Sequence, residues 1–224
     1  MDKPIFTSST AVTLVGAGGC TDAVLRLAMA HAPRIVAADG GGNVALGHGV
    51  APDAVIGDMD SLSDNARRLI PSARLHRIAE QDSTDFDKAL RNVDAPLVIG
   101  VGFNGSRLDH TLACFNTMVR WPGRRCLLVM PGQLVFLCPP RLDLPLAPGT
   151  LVSLFPMGKV RGRSEGLEWP IDGLEFAPDG RVGTSNRVMG AVRLWMDAPR
   201  MLVILPQEAL GPTVQSLLES EAWS

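Results

Sequence analysis

The sequence predicts an α/β domain over residues 1–140 followed by a small all-β domain over residues 141–224. Three observations lead there. Short apolar runs alternate with stretches of helical periodicity through the first part of the chain, as when strands and helices take turns. Four prolines fall between Cys138 and Gly149, which reads as a linker. Beyond it, Leu151–Phe155, Leu174–Phe176, Ala191–Trp195 and Leu202–Leu205 are short apolar runs parted by Gly, Pro and Asp, the pattern of a small antiparallel sheet or sandwich.

Taken in order, Ala11–Val15 reads as a buried strand that ends in Gly16-Ala17-Gly18-Gly19. Those glycines suit either a tight turn or a phosphate cradle, and neither GxxxxGK[ST] nor GxGxxG is present. Thr21 is placed to cap a helix over Asp22–His31, with Val24, Leu25, Ala28 and Met29 as its apolar stripe. The run Ile35–Ala38 then stops at Asp39-Gly40-Gly41, a short helix is expected near Asn43–Leu46, and Ala54–Ile56 stops at Gly57-Asp58-Met59-Asp60-Ser61. Ser61 is expected to cap a helix running to Ile70. After a strand at Leu75–Ile78, Thr84 with Asp87 forms a start resembling a capping box, and Asp85 falls in the first turn of the helix. Pro96–Val101 is the next strand, opening into Gly102–His110, and Leu108, Leu112, Phe115 and Val119 share one helical face. Arg125–Met130 and Leu134–Leu137 complete the apolar runs before the prolines.

Composition narrows the function. With 224 residues, 46% hydrophobic content and 20% charge, the chain has the make-up of a soluble globular protein. A net charge of −2 without basic runs offers nucleic acid no surface. No apolar stretch reaches the roughly 20 residues of a membrane helix. The start, Met1-Asp2-Lys3-Pro4, lacks the features of a signal peptide. Cys20, Cys114, Cys126 and Cys138 form no CxxC, which argues against zinc and for reduced thiols in a cytoplasm.

Acids where strands end face a ligand crevice in an open α/β sheet. If Asp58 and Asp60 stay extended, their side chains point to one side and make a plausible Mg²⁺ site, since that ion takes one or two carboxylates and completes its shell with water and phosphate oxygens. Arg107 is a candidate phosphate clamp through its planar fork. His110 suits a proton shuttle, but a histidine in a first helical turn is more often a packed or capping residue, and that reading is preferred.

These stretches together resemble the thiamin pyrophosphokinase family. The resemblance rests on Asp39-Gly40-Gly41 with Asn43, on Pro52-Asp53 leading to Gly57-Asp58-Met59-Asp60-Ser61, on Asp82-Ser83-Thr84-Asp85 with Lys88-Ala89, and on Arg107-Leu108-Asp109-His110. Gly166-Leu167-Glu168-Trp169 and Gly183-Thr184-Ser185-Asn186 are similar to its C-terminal motifs. The resemblance implies a Rossmann-like, mostly parallel sheet joined to a β-sandwich that binds thiamin and forms a homodimer. It implies transfer of the terminal pyrophosphate of ATP to the hydroxyl of thiamin, with Mg²⁺, releasing AMP. Asp58, Asp60 and Asp85 would hold the metal, Asp39 and Gln81 would lie near thiamin and its hydroxyl, and Arg107 and Asp109 would border the nucleotide phosphates. Gly41, Asn43 and Lys88 are expected with Arg107 on the nucleotide, and Ser185 with Asn186 in the thiamin pocket. Met59 stands where the family usually has Phe, and Asn104-Gly105-Ser106 replaces its paired glycines.

Two other readings are weaker. A metal-dependent phosphohydrolase normally sets its nucleophilic Asp after the first strand, where this chain has glycines. A non-catalytic nucleotide- or thiamin-binding regulator has no need to keep Asp58, Asp60 and Asp85.

Overall fold

The computed structural model describes residues 3–105 and 107–223. Met1, Asp2 and Ser106, used above for the N-terminus and the turn before Arg107, lie outside the described residues. The chain divides into two compact units, residues 1–117 and 118–224.

The first unit is built from β1 (Phe6–Thr7), β2 (Val12–Val15), α1 (Asp22–His31), β3 (Arg34–Ala38), α2 (Gly41–Gly47), β4 (Ala54–Gly57), α3 (Asp64–Leu69), β5 (Leu75–Arg77), α4 (Asp85–Asn92), β6 (Val93–Asp94), β7 (Val98–Val101) and the start of α5 (Leu108–Arg120). Its ladders are parallel: β2 with β7, β3 with β4, β4 with β5, and β1 with β6. Strands β2, β4 and β7 are buried along their whole length, so they read as unbroken apolar runs instead of alternating ones. Asp53 fastens two neighbouring strands, taking both guanidinium bonds of Arg34 at 3.0 Å and the backbone N–H of Ile35 at 2.9 Å.

Local chemistry sets the helix starts. Thr21 caps α1 by accepting from the Val24 N–H, and Thr84 caps α4 by accepting from Asp87. Ser61 does not cap α3. Ser63 does, its hydroxyl accepting from the Ala66 N–H, because the helix starts two residues later than a Ser61 cap would set it, at Asp64; the Ser61 N–H instead donates to the Asp39 carboxylate. The α5 stripe is also corrected: Cys114, Thr117 and Met118 are buried, while Leu108 and Leu112 are 70% and 53% exposed.

The second unit holds β8 (Cys126–Met130), β9 (Gln133–Leu137), β10 (Arg141–Leu144), β11 (Leu151–Pro156), β12 (Val160–Leu167), β13 (Glu175–Phe176), β14 (Gly183–Met196), β15 (Met201–Pro206) and α6 (Leu210–Glu219). Its ladders are antiparallel. The long β14 pairs with β11 near Gly183–Arg187 and with both β10 and β12 further along. The proline-rich stretch is therefore not an open linker. Arg141–Leu144 alternates exposed and buried residues and pairs with β14, with Leu142 and Leu144 in the core. Strand β12 escaped the sequence because its charged residues mask the alternation, and α6 because Pro212 interrupts its pattern. Among the described residues, no helix is long and apolar enough to cross a membrane.

Candidate active site

Five loops of the first unit leave the carboxyl ends of parallel strands. They are Gly16–Cys20 after β2, Asp39-Gly40 after β3, Asp58–Ser63 after β4, Ile78–Thr84 after β5 and the segment from Gly102 after β7. This is the edge where an open α/β sheet places its ligands. A cavity of about 670 Å³ opens there, lined by residues of four of those loops and by the starts of α4 and α5.

Three carboxylates meet at this edge. Asp39, Asp58 and Asp85 each offer an oxygen, and the three atoms lie within 4.8 Å of one another. Lys88, 1% exposed, lies among them with its Nζ 3.0 Å from Asp58 Oδ2 and 3.6 Å from Asp85 Oδ1. A buried ammonium is tolerated only when paired in this way. The hydrogen bond from Lys88, helped by the Asp60 N–H and by Gln81, holds the Asp58 carboxyl below the usual carboxylate range. Burial, and then the charge of Asp39, push Asp85 up, with Lys88 pulling partly back. Asp39 is 1% exposed; its Oδ2 accepts from the Ser61 N–H at 3.0 Å, while its Oδ1 is buried without a hydrogen-bond partner. A buried, unpartnered carboxylate oxygen beside two further acids fits a hard divalent cation.

Asp60 stands apart from this group. The Asp58-Met59-Asp60 segment is not extended, because Met59 has φ 71°, and Asp60 is exposed with its backbone N–H on Asp58 Oδ1 at 3.2 Å. The alternation that would have put both acids on one side is broken at that residue. Among the described residues, the positive-φ positions other than glycine are Asp39, Met59 and Ser185. Such conformations gather where function holds backbone strain in place.

Other expected residues of the first unit separate into those on the cavity and those behind it. Gln81, Lys88 and Arg107 line it. Arg107 and Asp109 are both exposed and pair with each other, Nε to Oδ1 at 3.2 Å. Gly41 is buried, and a Cβ there would stand 1.9 Å from the Val15 carbonyl oxygen, so its glycine serves helix-to-strand packing. Asn43 spends both ends of its amide on the neighbouring loop, donating to the Ser61 carbonyl at 2.8 Å and accepting from the Ser63 N–H at 3.0 Å. Ser185 and Asn186 begin β14 in the second unit. Asn186 is buried and grips Trp169 through both backbone groups, at 2.7 and 3.1 Å, leaving the indole 54% exposed.

Sequence reasoning left several lining residues unassigned. The glycine turn after β2 is one, and it interlocks with the turn after β7: Gly18 donates to the Gly102 carbonyl at 2.7 Å, and a Cβ on Gly16 would meet that oxygen at 2.5 Å. Two glycine runs, each following a strand, were the available signal. Phe86 and Phe103 pack edge to face at 4.7 Å on the cavity wall, and Cys114, pushed up to about 12 by burial, lies beneath. His110 lines the cavity rather than packing away from it. Nothing in the sequence singled out Cys114.

Comparison with known proteins bears on most of the chain. Residues 25–130 match the family model "Thiamin pyrophosphokinase, catalytic domain", and residues 140–200 match "Thiamin pyrophosphokinase, vitamin B1 binding domain". Thiamine pyrophosphokinase 1 of Arabidopsis thaliana is 26% identical over 192 residues, covering 70% of this chain and 72% of the plant protein. The solved thiamin pyrophosphokinase from Candida albicans superposes with a TM-score of 0.72 at 17% identity, over 92% of this chain and 95% of that one. That from Geobacillus thermodenitrificans gives 0.70 at 21%, over 88% and 96%. At such identities the structural likeness speaks for the fold, a mixed α/β architecture shared along nearly the full length.

Proposed function

The chain belongs to the thiamin pyrophosphokinase family, and from that premise we propose that it transfers the terminal pyrophosphate of ATP to the hydroxyl of thiamin, giving thiamin diphosphate and AMP. The observation that carries this reading is the convergence of Asp39, Asp58, Asp85 and Lys88 beside a cavity at the carboxyl edge of a parallel sheet.

Transfer of this kind makes little covalent demand on the protein and asks for alignment and charge neutralisation. Asp58 and Asp85 are the proposed direct Mg²⁺ ligands, the geometry adds Asp39, and Asp60, a ligand on the family's pattern, would reach the ion through a bound water. The bound ion would neutralise phosphate oxygens and hold them in line. Lys88 pairs with Asp58 and Asp85 at close range, holding the Asp58 carboxyl down and offsetting part of the upward push on Asp85, and lies ready to balance phosphate charge. Arg107, exposed at the cavity rim, can exchange Asp109 for a phosphate, with Asp109 bordering the nucleotide. Gln81 orients Asp58 and, with Asp39, lies toward the thiamin hydroxyl. Asn43 and Gly41 act on the nucleotide side through the loop and helix they hold in place. The interlocked glycine turns expose backbone along the cavity without side chains, as a phosphate requires.

The same reading gives the first domain, residues 1–140, a Rossmann-like sheet and the nucleotide chemistry. It makes residues 141–224 a sandwich for thiamin binding and dimerisation, with Ser185 and Asn186 in the thiamin pocket. Two such chains would work as a homodimer in the cytoplasm, without nucleic acid or membrane. Incubation with ATP, Mg²⁺ and thiamin tests it: AMP and thiamin diphosphate are expected in equal amounts. ADP or free phosphate as the only products would contradict it.

A further inference from the structure

We propose that Arg67 is a positioning residue for the metal site: from α3 it clamps the Asp58–Ser63 loop in the one conformation that aims Asp58 at its fellow acids. The inference rests on the reading of Asp58 as a metal ligand.

Met59 is the pivot of that loop. Its left-handed backbone, φ 71°, costs a residue with a Cβ free energy and persists only where the surroundings enforce it. One restraint is the side chain, buried in a cluster with Ala37, Val55, Leu62, Ala66 and Ile70. The other is Arg67, whose guanidinium donates to the Met59 carbonyl and, through Nε at 3.1 Å, to the Leu62 carbonyl. These two carbonyls bracket the turn, so one planar fork fixes its width. Arg77 holds the Asp58 carbonyl at 3.2 Å, and Asn43 holds the Ser61 carbonyl. Asp58 therefore turns inward to Lys88 and the acids while Asp60 turns out. Without the Arg67 clamp, Met59 relaxes toward the extended conformation, and the Asp58 carboxylate leaves the position from which it meets Asp39 and Asp85.

Arg67 lies behind the loop and is not among the residues lining the cavity, so a change there reaches the metal only through the backbone. Supporting groups behind metal ligands typically alter metal affinity by about 10–100-fold. With its guanidinium partly in water, Arg67 belongs at the low end. Direct Mn²⁺ binding, read from the free-ion electron paramagnetic resonance signal without substrates, tests this on the full chain. Arg67→Met should bind Mn²⁺ about tenfold more weakly than wild type. Arg67→Lys, which keeps the charge but can bridge the two carbonyls less well, should fall between them, and Arg68→Met should match wild type. Melting temperature is recorded for each. Wild-type affinity in folded Arg67→Met overturns the proposal. If that variant does not fold, Arg67→Lys decides: intermediate affinity at an unchanged melting temperature supports it, and wild-type affinity overturns it. Failure of wild type itself to bind Mn²⁺ would contradict the metal reading on which the proposal rests, a result distinct from equal binding by wild type and variant.

Discussion

The Asp58–Ser63 loop and the segment from Gly102 to Asp109 both leave the carboxyl end of a parallel strand, yet they are built on opposite principles. The first is held from behind by Asn43, Arg67 and Arg77, with Asp58 facing inward onto a buried lysine. The second carries its charges outward. Arg107 and Asp109 are 66% and 63% exposed and satisfy one another. A charge cluster in a low-dielectric setting must be set in place beforehand, since each unpaired member costs several kcal/mol. An exposed pair is worth at most about 1 kcal/mol and is readily given up for a better partner. The molecule thus fixes its acids in advance and leaves its cation at the rim free to close on an anion.

Substitutions can break that contrast, and the largest effect belongs to the inward group. Asp58→Asn should lower kcat by about 10³-fold, the scale of losing one electrostatic contact made in the transition state. Steady-state kinetics at saturating Mg²⁺ will show it; a loss below tenfold would mean that the cluster is structural. Arg107→Met should raise the KM for ATP by about tenfold, as expected for a charged hydrogen bond of roughly 1.5 kcal/mol, with little effect on melting temperature. Asp109→Asn should change either parameter less than about twofold, because it removes only the exposed partner. Equal effects from Arg107 and Asp109 would mean that the pair acts as a unit and that the rim is as fixed as the interior.

An effect on stability alone belongs to the framework beneath. Burial alone would raise the Asp53 pKa, but hydrogen bonds from Arg34 and Ile35 outweigh it and leave the carboxyl below its ordinary value. A depressed folded-state pKa adds stability that is fully present above the unfolded value and is lost as pH falls through the folded one. Asp53→Asn should therefore cost about 1 kcal/mol at pH 7, reduced because Arg34 is half exposed, and the gap should close below the carboxylate range. Denaturant melts at the two pH values will show whether it does; a pH-independent gap would assign the effect to packing.

Much of this molecule can be read from its residues, and the gaps have physical causes. Alternating strands and helices, the Thr21 and Thr84 caps, and acids at strand ends are local signals that put Asp39, Asp58 and Asp85 at one edge, whereas Lys88 entered through the family motif alone. Asp58 and Asp60 do not share one side because strand alternation assumes an extended backbone, and the left-handed turn at Met59 depends on tertiary restraints from Arg67 and a buried side chain. Ser61 has the residue type of a cap but not its place, since α3 starts at Asp64, and the bond that does hold it, to Asp39 22 residues away, leaves no local signal. Leu142 and Leu144 hid among prolines, which signal a linker until β14 is there to pair with them. Asn43 shows the same limit: its motif is legible, but that its amide supports a loop depends on contacts made at a distance.

Anomalous diffraction from crystals soaked in Mn²⁺ examines the arrangement of acids most directly. A peak bounded by Asp39, Asp58 and Asp85, with Asp60 outside direct contact, is the expected result. A peak held by Asp58 and Asp60 on an extended segment, with Asp39 turned away, would contradict it.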